Sequence, residues 1–241
     1  MTLRISMWSG PRNISTAMMR SWENRADCSV VDEPFYAYYL NKTKSPHPYF
    51  DEVLAAQSSD YKEVAKQLTS DKVCTPIQYQ KHMTHHMLAG ESLEWTRQLT
   101  HCFLIRAPEQ VVNSYTNSRG VCTVEDIGII RQAELYRAVS AITGQNIPVI
   151  DSNDVLKQPK RILSELCTQL NIPFSEQMLK WPSGTRASDG VWAPHWYHSV
   201  QQSTGFGPYI EKQISLNESQ KAVVEEVTPY YRSLYENRLG Q

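Results

Sequence analysis

Leu3-Arg4-Ile5-Ser6-Met7-Trp8-Ser9-Gly10-Pro11-Arg12-Asn13-Ile14-Ser15-Thr16-Ala17-Met18-Met19-Arg20-Ser21-Trp22 runs from an apolar strand-like stretch through a tight loop into a helix-like stretch. A strand, a loop and a helix start in this order form the architecture that holds a phosphate or sulfate, because the first backbone N–H groups of the helix have no intrahelical partner. Ser15 is the predicted N-cap, and Ala17, Met18, Met19 and Trp22 have the spacing of a buried helical face. The first turn carries no Asp or Glu, so the positive end of the helix dipole stays free for an outside anion, to which Arg12 adds a full charge.

Outward from this loop, apolar runs and helical patterns alternate. Cys28–Asp32 is a predicted second strand ending at Glu33-Pro34, 73–79 a third, and His101–Arg106 a fourth that is almost continuously apolar. Pro108 then opens a helix through Val111, Val112 and Tyr115; 125–143 is a predicted helix closed by Gly144; 147–150 is a fifth strand and 160–170 a helix. A last helix starts near Ser215, with Glu218 completing a capping box, and is expected to kink or break at Pro229. The recurrence predicts an α/β fold of three layers, with a mostly parallel central sheet and helices on both faces. Two stretches, 35–50 and 181–209, fit no alternation and are crowded with aromatics, including Tyr36, Tyr38, Tyr39, Trp192, Trp196 and Tyr197. Such density argues against disorder and suits core or ligand wall.

The 241 residues are enough for one well-buried domain, and none of them suggests a linker or repeat, so 1–241 is expected to be a single domain. With 24 Lys and Arg against 25 Asp and Glu, the charge balance gives no reason to expect nucleic acid or a membrane surface as partner. Without a signal-like leader or a spanning apolar run, the expected location is cytoplasmic. The five Cys follow no metal-type spacing and are expected to be reduced and structural, with Cys28, Cys74 and Cys102 in apolar strand-like surroundings.

The loop lacks the second Gly and the Lys-Ser/Thr pair of a nucleoside-triphosphate P-loop. Arg106 ends a central strand, Ser114 follows eight residues later in the next helix and Arg119 lies beyond it, which makes a second anion site on the same sheet edge. In this order the chain resembles the PAPS-dependent sulfotransferases, which have a P-loop-like fold and move a sulfuryl group from 3′-phosphoadenosine 5′-phosphosulfate. Pro11-Arg12-Asn13-Ile14-Ser15-Thr16 is similar to their 5′-phosphosulfate loop, with Arg12 at the place of the loop Lys and Ile14 at that of a Gly. Arg106 and Ser114 match their 3′-phosphate motif, while Arg186 with Gly190-Val191-Trp192 is similar to part of the loop that lies over the nucleotide. Glu33-Pro34 followed by aromatics is closer to the bacterial and carbohydrate enzymes of that family.

The resemblance implies PAPS as co-substrate without a required metal, and a small-molecule acceptor with a hydroxyl or amine. It implies binding of the co-substrate by Arg12, Asn13, Ile14, Ser15, Thr16, Arg106, Ser114, Arg186, Gly190 and Trp192. In the family a Lys-Thr-His segment after the third strand supplies a base and a sulfuryl contact, and Lys81 and His82 lie near that place. The expected catalytic set is Arg12 for the leaving phosphate, Glu33 as the base, and Lys81, His82 and His85 as alternatives or helpers. If the segment were helical, His82, His85 and His86 would share a face suited to a metal, but no second ligand set completes it. Oligomeric state is open, a homodimer included. The rival classes are a kinase-like nucleotide enzyme on the same fold and a non-catalytic nucleotide-binding protein.

Overall fold

A computed structural model of the protein describes residues 2–211 and 213–240. Five parallel strands, β1 (Leu3–Ser9), β2 (Cys28–Asp32), β3 (Ile77–Met83), β4 (Thr100–Ile105) and β5 (Val149–Asp151), form one sheet in the order β2-β3-β1-β4-β5. The helices are α1 (Ser15–Glu23), α2 (Tyr36–Thr43), α3 (Phe50–Ala56), α4 (Tyr61–Ser70), α5 (Pro108–Arg119), α6 (Val124–Ile127), α7 (Ile129–Thr143), α8 (Ser152–Lys157), α9 (Pro159–Gln169), α10 (Ala193–Trp196), α11 (His198–Gln201) and α12 (Glu218–Tyr235).

Successive strand residues point to opposite faces, so a strand covered on both sides buries apolar side chains on each of them. Cys102 and Leu104 of β4 enter one core with Met18, Met19 and Trp22 of α1 and Ile162, Leu163 and Leu166 of α9. Phe103 and Ile105 enter the other with Val64 and Leu68 of α4, Leu135 and Val139 of α7 and Leu234 of α12. Full burial of one such side chain contributes about 1.5–3 kcal/mol, so β4 is fastened from both layers. The three-layer parallel architecture expected from the alternation is the one observed.

Several boundaries differ, each for a local reason. The third strand runs from Ile77 to Met83 rather than over 73–79: it buries Gln80, Lys81 and His82, polar residues that mask a strand signal. His85 and His86 therefore lie in a 3-10 turn, Thr84–His86, and share no helical face with His82. The stretch 35–50 is mostly helical, as α2 followed by the start of α3. The 125–143 helix is split into α6 and α7 at Gly128, whose φ of 63° interrupts the spiral where Pro11, Thr84 and His85 crowd around it. The capping box of α12 is Asn217 with Gln220, and Pro229 lies within the helix on its exposed side, where water can satisfy the Glu225 carbonyl that the proline leaves free. All five Cys are free, but Cys74 is exposed just before β3 while Cys28, Cys102 and Cys167 are buried. No helix among the described residues is long and apolar enough to cross a membrane.

Candidate functional site

In register, Ser9 at the end of β1 pairs with Met83 of β3 on one side and Leu104 of β4 on the other. The loop after β1 therefore emerges between the ends of β3 and β4, the crevice in which parallel sheets bind ligands. A cleft of about 1020 Å³ opens there and is lined by residues 11–17, Glu33, Lys81, His85, Arg106, Ser114 and Arg119 among others. Every sequence-predicted residue of the first loop, Arg12, Asn13, Ile14, Ser15 and Thr16, faces it.

Asn13, rather than Ser15, organises this loop. Its Oδ1 accepts from Ile14 N at 2.8 Å and its Nδ2 donates to Leu104 O at 3.1 Å, which ties the loop to β4. Ser15 is the first residue of α1 and is buried, and no side chain caps that helix, so its N-terminal amides stay available to an anion. Ile14 packs on the core beneath, which gives the residue standing at the family's Gly position a structural use.

Arg106 and Ser114 both converge on Arg12. Arg12 Nε donates to Ser114 Oγ at 3.1 Å, and Arg106 Nη1 donates to Arg12 O at 2.5 Å. Arg12 has a φ of 55°, a left-handed conformation that costs a non-glycine residue energy and aims this guanidinium across to α5. Burial, and then the charge of Arg119, lowers the Arg12 pKa; burial, and then Arg12, lowers that of Arg106. Among the described residues no carboxylate pairs with Arg12, Arg106 or Arg119. Mutually repelling cations without acidic partners mark a surface that an anion would neutralise.

The opposite wall is a buried charge network. Lys81 Nζ donates to Glu33 Oε1 at 2.5 Å, to Asp32 Oδ1 at 2.9 Å and to Tyr197 OH at 2.7 Å, and Tyr197 OH donates to Asp32 Oδ2 at 2.7 Å. Glu33 has a φ of 43°, which turns the chain at the end of β2 and brings its carboxylate into the cleft wall. Burial raises the Glu33 pKa, with Lys81 opposing and Asp32 reinforcing; the two carboxylates raise that of Lys81 well above its ordinary value, against burial. Glu33 Oε2 is 4.0 Å from His86 Nε2. The His86 ring stacks on Tyr36 at 4.5 Å and on Tyr39 at 4.9 Å between centroids. His85 lies at the same wall with its pKa lowered to about 3 by burial and neighbouring positive groups.

Four expected site residues lie elsewhere. His82 points to the other face of β3, 1% exposed, where it stacks on Trp8 at 4.4 Å and its Nε2 meets Gln80 Oε1 at 3.2 Å. Trp192 is 1% exposed and belongs to the core; its Nε1 donates to Tyr197 OH at 3.1 Å. Gly190 N donates to Asp32 Oδ2 at 3.1 Å, behind the Lys81 network. Arg186 is drawn to Glu23, with Nε 3.7 Å from Oε2. None of the four lines the cleft. Burial of a large indole and neutralisation of a carboxylate hold this loop against α1 and β2. The aromatics that do face the cleft include Tyr36, Tyr39, Tyr115, Trp196, Tyr197 and Phe206. Asp32, Tyr197 and Trp196 were not among the expected site residues, and their strand-end or aromatic setting is the sequence signal they carry; His86 entered only as a member of the histidine run.

A family model described as "Sulfotransferase domain" matches residues 3–237. Two Arabidopsis thaliana proteins, branched-chain-amino-acid aminotransferase-like proteins 1 and 2, are 37% and 33% identical over 202 residues. Those residues make up 84% of this chain but 36% of each relative, so the chain spans about a third of their length. A solved sulfotransferase domain from the curacin biosynthetic pathway superposes with a TM-score of 0.55 at 14% identity, covering 95% of this chain and 98% of that one. Mouse sulfotransferase SULT7A1, solved in complex with PAP, gives 0.54 at 12% identity and covers 97% and 88%. At such identities the two structures show a shared fold.

Proposed function

The chain belongs to the sulfotransferase domain family, and on that premise we propose that it transfers a sulfuryl group from PAPS to a hydroxyl or amine of a small organic acceptor, with 1–241 acting as one domain. The observation that carries this reading is the meeting of Arg12, Arg106 and Ser114 at an uncapped helix start, free of acidic partners. That donor set fits a nucleotide bearing phosphate at both its 3′ and 5′ positions.

Arg12 and the first-loop amides hold the 5′-phosphate, and Arg106 with Ser114 holds the 3′-phosphate. The acceptor lies against Tyr36, Tyr39 and His85, before the Glu33 wall. Its oxygen or nitrogen forms the new bond to sulfur as the bond from sulfur to the 5′-phosphate oxygen breaks. The electron pair stays on that phosphate, and the acceptor's proton goes to Glu33. Sulfuryl transfer, like phosphoryl transfer, is served by in-line positioning and charge stabilisation. Lys81, locked by three polar contacts to Asp32, Glu33 and Tyr197, keeps Glu33 in place and favours its charged form.

The test is thermal unfolding with adenosine 3′,5′-bisphosphate (PAP) and without magnesium. A ligand at 100 times its dissociation constant stabilises by about 2.7 kcal/mol, a clear rise in Tm. A rise with ATP and magnesium and none with PAP would replace this reading by the kinase-like one.

A further inference from the structure

We propose that Arg119 holds the terminal sulfate of the donor, apart from the guanidiniums that hold its phosphates; the inference rests on the PAPS reading above. Arg119 closes α5, five residues beyond Ser114, and lines the cleft. Its guanidinium carbon lies 4.6 Å from the centre of the Trp196 ring and 5.9 Å from that of Tyr115, and its Nη2 is 3.4 Å from His47 Nε2. Ring faces fix the plane of the group and leave its N–H edge to a ligand. His47 is itself held by Tyr36, whose OH meets its Nδ1. A carboxylate that would occupy the guanidinium is absent among the described residues.

Position separates Arg119 from the other two cations. Arg106 bonds directly to the backbone of Arg12 and feels the charges of Arg12 and Asp151. Arg119 lies near enough to Arg12 to lower its pKa, and it meets His47, which Tyr36 ties to the wall of His86 and Glu33. The three cations are thus ranked across the cleft as Arg106, Arg12, Arg119, with the Glu33 and His85 wall beyond. A donor whose 3′-phosphate meets Arg106 and whose 5′-phosphate meets Arg12 directs the next group, the sulfate, toward Arg119. A planar fork suits two oxygens of one tetrahedral anion, which an ammonium point charge matches less well. Arg119 donates hydrogen bonds only: the transferred sulfuryl oxygens keep their charge from donor to product, and no proton passes through it.

Calorimetry in the absence of magnesium with AMP, adenosine 5′-phosphosulfate and PAP isolates the two increments. The affinity ratio of the phosphosulfate to AMP measures recognition of the sulfate, and that of PAP to AMP measures recognition of the 3′-phosphate. In Arg119→Ala the first ratio is expected to fall about tenfold or more, the loss of a charge-assisted contact, while the second stays within about twofold. Arg119→Lys is expected to recover part of the first ratio. Arg106→Ala should show the reverse pattern and serves as the control. Retained AMP binding by Arg119→Ala reports an intact fold. If both ratios survive Arg119→Ala, as they would were Arg119 reserved for an anionic acceptor, or if only the 3′-phosphate ratio falls, the proposal is overturned. It is equally overturned if the wild-type protein binds the phosphosulfate no better than AMP. A wild-type protein that binds PAP no better than AMP overturns the PAPS reading itself, and this inference with it.

Discussion

Lys81 Nζ and Glu33 Oε1 lie 2.5 Å apart at the ends of neighbouring strands, the lysine side chain 1% and the glutamate side chain 11% exposed. Asp32, also paired with Lys81, is 1% exposed, so one cation stands between two buried carboxylates. Removing one partner of such a pair leaves uncompensated charge, which costs about 3–5 kcal/mol. Lys81→Met is therefore expected to lower the unfolding free energy in urea by about that amount, and adding Glu33→Gln should restore part of it. A single variant within about 1 kcal/mol of wild type would show that these charges are solvated.

How much of this was legible in the chain depended on whether burial and function asked for the same residue types. β4 is apolar on both faces from Cys102 to Ile105, so its run announced a buried parallel strand, and the loop of β1 with Arg106 and Ser114 announced the cleft. β3 buries Gln80, Lys81 and His82 through partners that are distant in sequence, such as Tyr197, so hydropathy placed the strand too early. The same cause made His82 look like a site residue, when strand alternation turns it from the cleft. Trp192 and Arg186 carried a motif's pattern, but an indole and a guanidinium found better partners in the core and at Glu23. Glu33 was legible as a strand-end carboxylate; its left-handed backbone and its tie to Lys81 were not.

Acid should weaken the fold before the carboxylates titrate. Burial, the main cause in each, lowers the pKa of His82 to about 3 and of His101 to about 4, and puts that of His86 well below 6.5. These imidazoles are neutral in the fold and bind protons on unfolding, so their contribution is present above pH 6.5 and is lost as the pH falls toward 4. Each contributes a slope of about 1.4 kcal/mol per pH unit in that window. Glu33 and Asp151, raised by burial, oppose this in its lower part. Urea unfolding at pH 7, 6 and 5 is the measurement, and an unfolding free energy constant across that range would contradict the buried neutral state.

Asn13 joins the first loop to β4 through its side-chain amide. Asn13→Ala removes two hydrogen bonds, each worth about 0.5–1.5 kcal/mol, and frees the loop without removing a charge. AMP, adenosine 5′-phosphosulfate and PAP should all bind more weakly by a similar factor, with their mutual ratios kept. Calorimetric ratios that change in this variant would assign Asn13 a contact to one particular group of the nucleotide.

Glu33 and His85 lose their capacity as a base at different pH on acidification, and this decides which of them takes the acceptor's proton. A carboxylate is a weak base, but it needs to accept the proton only as the new bond to sulfur forms, when the acceptor hydroxyl has become far more acidic. Glu33 presents Oε2 at the cleft wall while Lys81 holds Oε1, and its pKa lies above 4.5 because of burial. His85, lowered to about 3, would stay a competent base down to that pH. With Glu33 as base, single-turnover transfer of radiolabelled sulfuryl from PAPS should fall on acidification through a value above 4.5. Measured with whichever alcohol or amine of an acceptor panel the wild type uses, Glu33→Gln should lower this transfer by roughly 10²- to 10⁴-fold. PAP affinity should change little, since Glu33 faces the acceptor, and His85→Gln should lose less. Normal turnover in Glu33→Gln, together with an acid limb near 3 and a large loss in His85→Gln, would assign the proton to the imidazole instead.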